Sequence, residues 1–221
     1  MQSDRVLLNL GCGQTAPPNW QNYDSSLNAQ LQRMPPLRWL LRKLGATTFD
    51  ANNIRFIDLN YPWRFRSATA DVVYASHLFE HLKGAAAKLF LSEAFRILKT
   101  RGTLRLVVPD LYTLAKKYIH DFESRDAQAA AAFLEPLNLH LEGVYRDERN
   151  FLLKALHWFQ NYPLQHKYMY DWLSLEKILA ESGFKGIRRS GYGESLYIPE
   201  IGQVENSQEG VSSLYVEAIK A

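Results

Sequence analysis

Hydrophobic positions come in short runs that alternate with helical repeats. Val6, Leu7, Leu8 and Leu10 form an apolar run that ends at Gly11-Cys12-Gly13, the pattern of a buried strand entering a glycine turn. Trp20 to Tyr23 reads as a second short strand ending at Asp24, and Pro17 and Pro18 leave no room for a helix between the two. Ile54 to Leu59 reads as a third strand with Asp58 at its C-terminal end, and Asp71 to Ala75 as a fourth, closed by Ser76 and His77. Ala87, Phe90, Leu91, Ala94 and Leu98 share one face of a helix over 84–98, and Arg101-Gly102 stop it before the strand Thr103 to Val108. Helical patterns return over 111–134 and over 172–182, the latter opened by a capping Asp171 and followed by Gly183. Ile187 to Ser190 and Ser213 to Ile219 complete the strands.

Strands alternating with helices in this order predict an α/β, Rossmann-like, mainly parallel seven-stranded sheet. Its last strand is antiparallel and its first crossover helix is shortened or lost. No repeat or low-complexity linker divides the chain, so residues 1–221 are expected to form a single domain with two embellishments. One is a basic insertion over 25–50, in which Leu37, Leu40, Leu41 and Leu44 predict a short amphipathic helix carrying Arg38, Arg42 and Lys43. The other is an aromatic stretch over 135–170, read as a cap on the acceptor side.

Composition narrows the function classes. The 26 Lys+Arg against 23 Asp+Glu give a net charge of +3, too small to argue for nucleic acid, and 47% hydrophobic residues describe a globular chain that buries a core. Cys12 is the only cysteine, which excludes an internal disulfide framework and a cysteine-rich zinc site. No apolar run is long enough to span a bilayer, and no signal peptide is evident; a reducing, cytoplasmic home is expected. Contact of the basic helix with an anionic membrane is its least favoured reading; solvated arginines or an anionic substrate come first.

In such a sheet, ligands sit outside the carboxyl ends of the strands. The strand-end polar residues here are Asn9, the Gly11-Cys12-Gly13 turn, Asp24, Asp58, Ser76 and His77. A glycine turn lets a ligand lie against the backbone, an acid ending the second strand can accept both hydroxyls of a ribose, and a third-strand acid can accept from an adenine amino group.

These residues resemble the class I S-adenosylmethionine-dependent methyltransferases. LLNLGCG looks like their first motif, FIDL their third-strand acid motif and DVVYASHLFEHL their fourth-strand segment, while FRILKTRGTLRLVVPD and LEKILAESGFKGIRRS are similar to the later helix–strand units. The opening LNLGCG…W-x-N-x-D, with VVPDL and HKYMYD, more narrowly resembles a branch of predicted bacterial methyltransferases. The resemblance implies S-adenosylmethionine as cofactor, with Gly11, Gly13, Asp24, Asp58 and Ser76 as its contacts and Cys12 filling space in the turn. The family commonly has an acid where Asn9 stands; an amide still hydrogen-bonds the cofactor's amino group, without the charge-assisted part.

Methyl transfer from a sulfonium needs positioning and exclusion of water, and a hydroxyl acceptor also needs a base. His77 and His81 are the candidates, His77 at the strand end and His81 shaping the pocket. As metal ligands they lack the HExxH arrangement and a third partner, so no metal is expected. His140, His157, His166, Tyr162, Tyr168 and Tyr170 suit stacking on sugar or aromatic faces. Two functions follow: methyl transfer to a hydroxyl of a small molecule or saccharide, or a non-catalytic Rossmann-like module that engages a partner through its basic and aromatic surface.

Overall fold

The structure is a computed structural model, and it describes residues 5–26, 30, 34–36, 39, 43, 52–137, 166–205 and 212–221. Seven described strands form one sheet: β1 (Leu7–Leu10), β2 (Gln21–Asp24), β3 (Ile54–Phe56), β4 (Ala70–Ser76), β5 (Leu98–Pro109), β6 (Lys185–Ser190) and β7 (Ser213–Ile219), in the order β3-β2-β1-β4-β5-β7-β6. Strands β1 to β5 pair in parallel, and β7 lies antiparallel between β5 and β6. The expected seven-stranded Rossmann-like sheet with an antiparallel last strand is therefore present. Its order reverses between β1 and β4, the switch point at which open α/β sheets bind ligands.

Alternation along the strands gives the sheet two different faces. Leu8, Leu10, Val73, Ala75, Leu104, Leu106 and Val216 point to one face and pack against helices α1 (Gly84–Ile97) and α4 (Trp172–Glu181) through Phe90, Leu91, Ala94, Leu175 and Leu179. The other face, carrying Leu7, Val72, Tyr74 and Val107, packs on Trp20 and on Ile198, Ile201 and Val204. Helices α2 (Leu111–Glu123) and α3 (Ala129–Leu134) follow β5. Asp171 caps α4 reciprocally with Ser174, as its position before the helical repeat implied.

Three boundaries differ from the sequence pattern. Helix α1 ends at Ile97 and β5 begins at once, with Arg101 (φ 64) and Gly102 inside the strand. Gly102 is needed there because a Cβ would stand 2.9 Å from the Lys99 carbonyl oxygen. Strand β3 stops at Phe56, and Asp58 turns the chain by accepting from the Asn60 backbone N–H at 3.0 Å and side-chain Nδ2 at 2.9 Å. Helix breaks over 124–128 divide the 111–134 span into α2 and α3.

The segment between β1 and β2 holds no helix, as Pro17 and Pro18 predicted. Two buried amides organise it instead. Asn9 and Asn22 are opposite one another in register; Asn9 Nδ2 donates to the Thr15 carbonyl (2.8 Å) and to Asn22 Oδ1 (3.0 Å). Asn22 Nδ2 donates to the carbonyls of Pro17 and Trp20, both at 2.9 Å.

The second face also buries a charged group that hydropathy alone did not single out. Arg105 is fully buried on β5 and faces its register partner Glu217 on β7. Its guanidinium forks onto Glu205 (Nε to Oε1 2.6 Å, Nη2 to Oε2 2.8 Å), approaches Glu217 Oε1 at 3.3 Å, and donates to the carbonyls of Gly191 and Glu194 and to Ser190 Oγ. Every donor direction is thus used, and the 190–205 segment is fixed over the sheet. Arg105→Met leaves Glu205 and Glu217 buried without their cation, and urea denaturation should show a loss of about 3–5 kcal/mol, the usual cost of breaking a buried pair. A loss under about 1 kcal/mol would mean that the carboxylates find other partners.

Candidate active site

The glycine turn begins where β1 leaves the sheet. Gly11 and Cys12 donate their backbone N–H groups to the Tyr23 carbonyl at 2.8 and 3.1 Å, which binds the turn to the end of β2. Gly11 (φ 67) and Gly13 (φ 53) both occupy the left-handed region that glycine adopts without strain. Their surroundings differ. A Cβ on Gly11 would stand 3.0 Å from Leu78, whereas a Cβ on Gly13 would meet no atom within 4 Å. Open approach to the backbone therefore lies over Gly13, while Leu78 covers the Cβ side of Gly11.

Asp24 is buried at the end of β2, and its carboxylate closes this corner: Oδ2 accepts from the Gly13 N–H at 2.8 Å and Oδ1 from the Ser26 N–H at 2.6 Å. A carboxylate has about four acceptor positions, so two remain for a ligand. Asp58 follows the residue that pairs with Asp24, Phe56, by two positions, on the same edge of the sheet. Ser76 ends β4 and is half-buried there. Cys12 is buried beside Ile54 and Ala16, and burial, reinforced by the Asp24 charge, pushes its thiol up to about 12, which disfavours the thiolate.

His77 turns the chain out of β4 with φ 48, while its N–H still bonds the Val107 carbonyl at 2.9 Å. Its ring lies between two polar groups, Ser213 Oγ at 3.2 Å from Nε2 and Glu80 Oε1 at 3.4 Å from Nδ1. The short 3-10 turn Phe79–His81 then places Glu80 inward and His81 against His166, their ring centroids 4.8 Å apart. The Glu80 carbonyl accepts from the N–H groups of Lys167 (2.7 Å) and Tyr168 (3.2 Å), which draws the 166–170 segment onto this turn. Tyr170 continues the contact by stacking on Phe79 at 5.0 Å and bridging to Asp110. Burial lowers the His166 pKa below its ordinary 6.5, against the opposing pull of Glu80.

The sequence-derived residues thus divide into two neighbouring groups. Asn9, Gly11, Cys12, Gly13 and Asp24 form the turn at the ends of β1 and β2, with Asp58 further along the same edge. Ser76 at the end of β4, with His77 and His81 just after it, forms the second, joined to the first by Leu78, which covers the Cβ side of Gly11. Asn9 carries its Nδ2 into the fold, toward Thr15 and Asn22. Asp110 is a helix cap, accepting from the Tyr112 N–H and the Thr113 hydroxyl. Sequence reasoning missed Glu80 and the placement of His166, although FEHL and HKYMYD contained both. Of the aromatic stretch, His140, His157 and Tyr162 lie outside the described residues, as do the leucines and arginines of the basic helix over 37–44.

Residues 8–106 match the methyltransferase domain family, a span that contains the glycine turn, Asp24, Asp58 and the β4–β5 unit. Among solved structures, the methyltransferase domain of citrinin polyketide synthase superposes with a TM-score of 0.50 at 13% identity, over 100% of this chain and 48% of that one. SAM-dependent methyltransferases from Thermotoga maritima (TM-score 0.49, 13% identity, 98% of this chain and 82% of that one) and Archaeoglobus fulgidus (0.48, 15%, 98% and 86%) are also similar. No curated protein matches the sequence. The chain has a Rossmann-like α/β fold, shared with the citrinin polyketide synthase domain; S-adenosylmethionine is the cofactor that the sequence motifs implied. No described helix is long and apolar enough to cross a membrane.

The residues fit that cofactor at one observable point, the open space over Gly13 flanked by a carboxylate with unused acceptor positions. Asp24→Ala removes the acceptor of two backbone N–H groups in a part-buried corner. It should lower stability by about 1–3 kcal/mol in urea denaturation. Unchanged stability would show that the turn holds without the carboxylate.

Proposed function

We propose that the protein transfers the methyl group of S-adenosylmethionine to a hydroxyl of a small molecule or saccharide. The observation that carries this reading is the juxtaposition of the Gly11–Gly13 turn with His77, whose neighbour Leu78 packs directly on Gly11. In it, the turn receives the nucleoside over Gly13, Asp24 accepts from the ribose hydroxyls, Asp58 and Ser76 contact the base side, and Asn9 acts by holding the turn in shape. Bound there, S-adenosylmethionine would supply the methyl group to the acceptor oxygen, with its sulfonium sulfur as the leaving group that keeps the electron pair. His77 takes the hydroxyl proton on Nε2. Glu80 Oε1 stands 3.4 Å from Nδ1, on the other side of the ring from Nε2. Ser213, 3.2 Å from Nε2, marks where a hydroxyl can stand. His81 shapes the acceptor side with the 166–170 aromatics, and the single-domain organisation over 1–221, the basic insertion and the aromatic cap belong to the same reading.

One observation favours the non-catalytic module instead: both Asp24 oxygens already serve backbone N–H groups. Calorimetric titration with S-adenosylmethionine and S-adenosylhomocysteine separates the two, since binding of neither would leave the module. With an acceptor that supports turnover, His77→Ala should lower kcat by about 10²–10⁴-fold, the range of general-base catalysis, with cofactor affinity nearly unchanged. An unchanged rate would remove His77 from the chemistry.

A further inference from the structure

We propose that Glu80, His81 and His166 bind one divalent transition-metal ion, of which Zn²⁺ is the best match, beside the glycine turn. Its role in holding the acceptor's hydroxyl oxygen rests on the methyl-transfer reading; binding of the ion does not.

The first support is the state of Glu80. It has no solvent exposure, and among the described residues neither of its carboxylate oxygens has a hydrogen-bond partner. A buried carboxylate in that condition carries a desolvation cost of several kcal/mol unless a cation compensates it. The two imidazoles nearest to Oε1, those of His77 at 3.4 Å and His166 at 3.9 Å, stand too far away to satisfy it by hydrogen bonding. Arg105 shows what this chain does with a buried charge that is purely structural: it surrounds it with partners.

The second support is the donor geometry. One ligand atom from each of Glu80, His81 and His166 lies within 4.8 Å of the others. Tetrahedral Zn²⁺, with ligands at about 2.0–2.1 Å, separates them by about 3.4 Å, so side-chain rotations of about an ångström complete the site. Two imidazoles and one carboxylate form the donor set of open catalytic zinc centres, which keep a fourth position for an oxygen of water or substrate. His77 lies outside the ligand set, its Nδ1 3.4 Å from the same Oε1 that His166 approaches.

The third support is how the ligands are held. Glu80 and His81 sit on a tight turn, and His166 comes from a segment far along the chain that is fastened to that turn by two backbone hydrogen bonds onto the Glu80 carbonyl. The sequence offered no third ligand for His77 and His81 because that partner is 85 positions beyond His81 (166 − 81). Leu78, two residues before Glu80, covers the Cβ side of Gly11, so the cluster follows directly on the residue that touches the cofactor turn.

The test is calorimetric titration of the full chain, stripped of metal by chelation, with Zn²⁺. One ion per chain should bind. His81→Ala and His166→Ala should each weaken it by more than the roughly 10–100-fold that loss of a merely supporting contact costs. His120→Ala, on the exposed side of α2, should leave affinity unchanged. If a histidine variant fails to fold, Glu80→Gln keeps the side-chain shape and serves in its place. The visible spectrum of the Co²⁺-loaded chain gives a second readout of tetrahedral coordination. Absence of saturable binding, or affinity indifferent to all three variants, overturns the proposal. The same preparation titrated with S-adenosylhomocysteine separates the two ideas: nucleoside binding without Zn²⁺ binding removes the metal site alone, and Zn²⁺ binding without nucleoside binding removes the methyl-transfer reading alone.

Discussion

Two parallel strands joined by only ten residues, 11–20, constrain the rest of this molecule. Parallel neighbours ordinarily need a crossover of a dozen or more residues, and a helix usually supplies it. Here Asn9 and Asn22 collect the carbonyls of Thr15, Pro17 and Trp20, and Asp24 collects the N–H groups of Gly13 and Ser26. The backbone groups a helix would have satisfied are satisfied by side chains. The turn is consequently short and closely tied to β2, and the sheet face above it is open to the 197–204 segment, which packs against Trp20 and Tyr74.

The same face explains the contrast between two buried charges. Arg105 lies where that segment crosses the sheet, and its charge is met by Glu205 and Glu217 together with two carbonyls and a hydroxyl. Glu80 lies at the opposite kind of place, the loop after β4, where ligands approach such sheets, and has no comparable partner. Arg105 is thus surrounded by partners, whereas Glu80 has, among the described residues, only the imidazoles of His77 at 3.4 Å and His166 at 3.9 Å beside Oε1.

Much of the architecture was legible in the sequence because strands buried on both faces read as plain apolar runs and the helices carry clear repeats. Pro17 and Pro18 announced the missing helix, and Asp171 its cap. The boundaries of β3 and β5 were less legible because Asp58 and Gly102 act through local geometry, an Asx turn and a close carbonyl, that periodicity does not encode. Arg105 and Glu217 did carry a signal: one charge inside each of two apolar strand runs, of opposite sign, implies a buried pair. Among the candidate site residues, the glycine turn, Asp24 and His77 stand at or just after strand ends, where the sequence pattern put them. The Glu80–His166 association did not, since it depends on how a distant segment returns over the sheet edge. Asn9 was read as a cofactor ligand because of its motif, and its Nδ2 proves to serve the loop that replaces the helix.

The central claim is that a nucleoside rests on the Gly13 end of the turn. Amide NMR during titration with S-adenosylhomocysteine tests it at single residues. Saturable shifts of the Gly11, Cys12 and Gly13 signals, with Gly183 and Gly186 at the far end of the sheet unmoved, are the predicted result. A titration that moves Gly183 or Gly186 and leaves the turn untouched, or moves none of them, would contradict it.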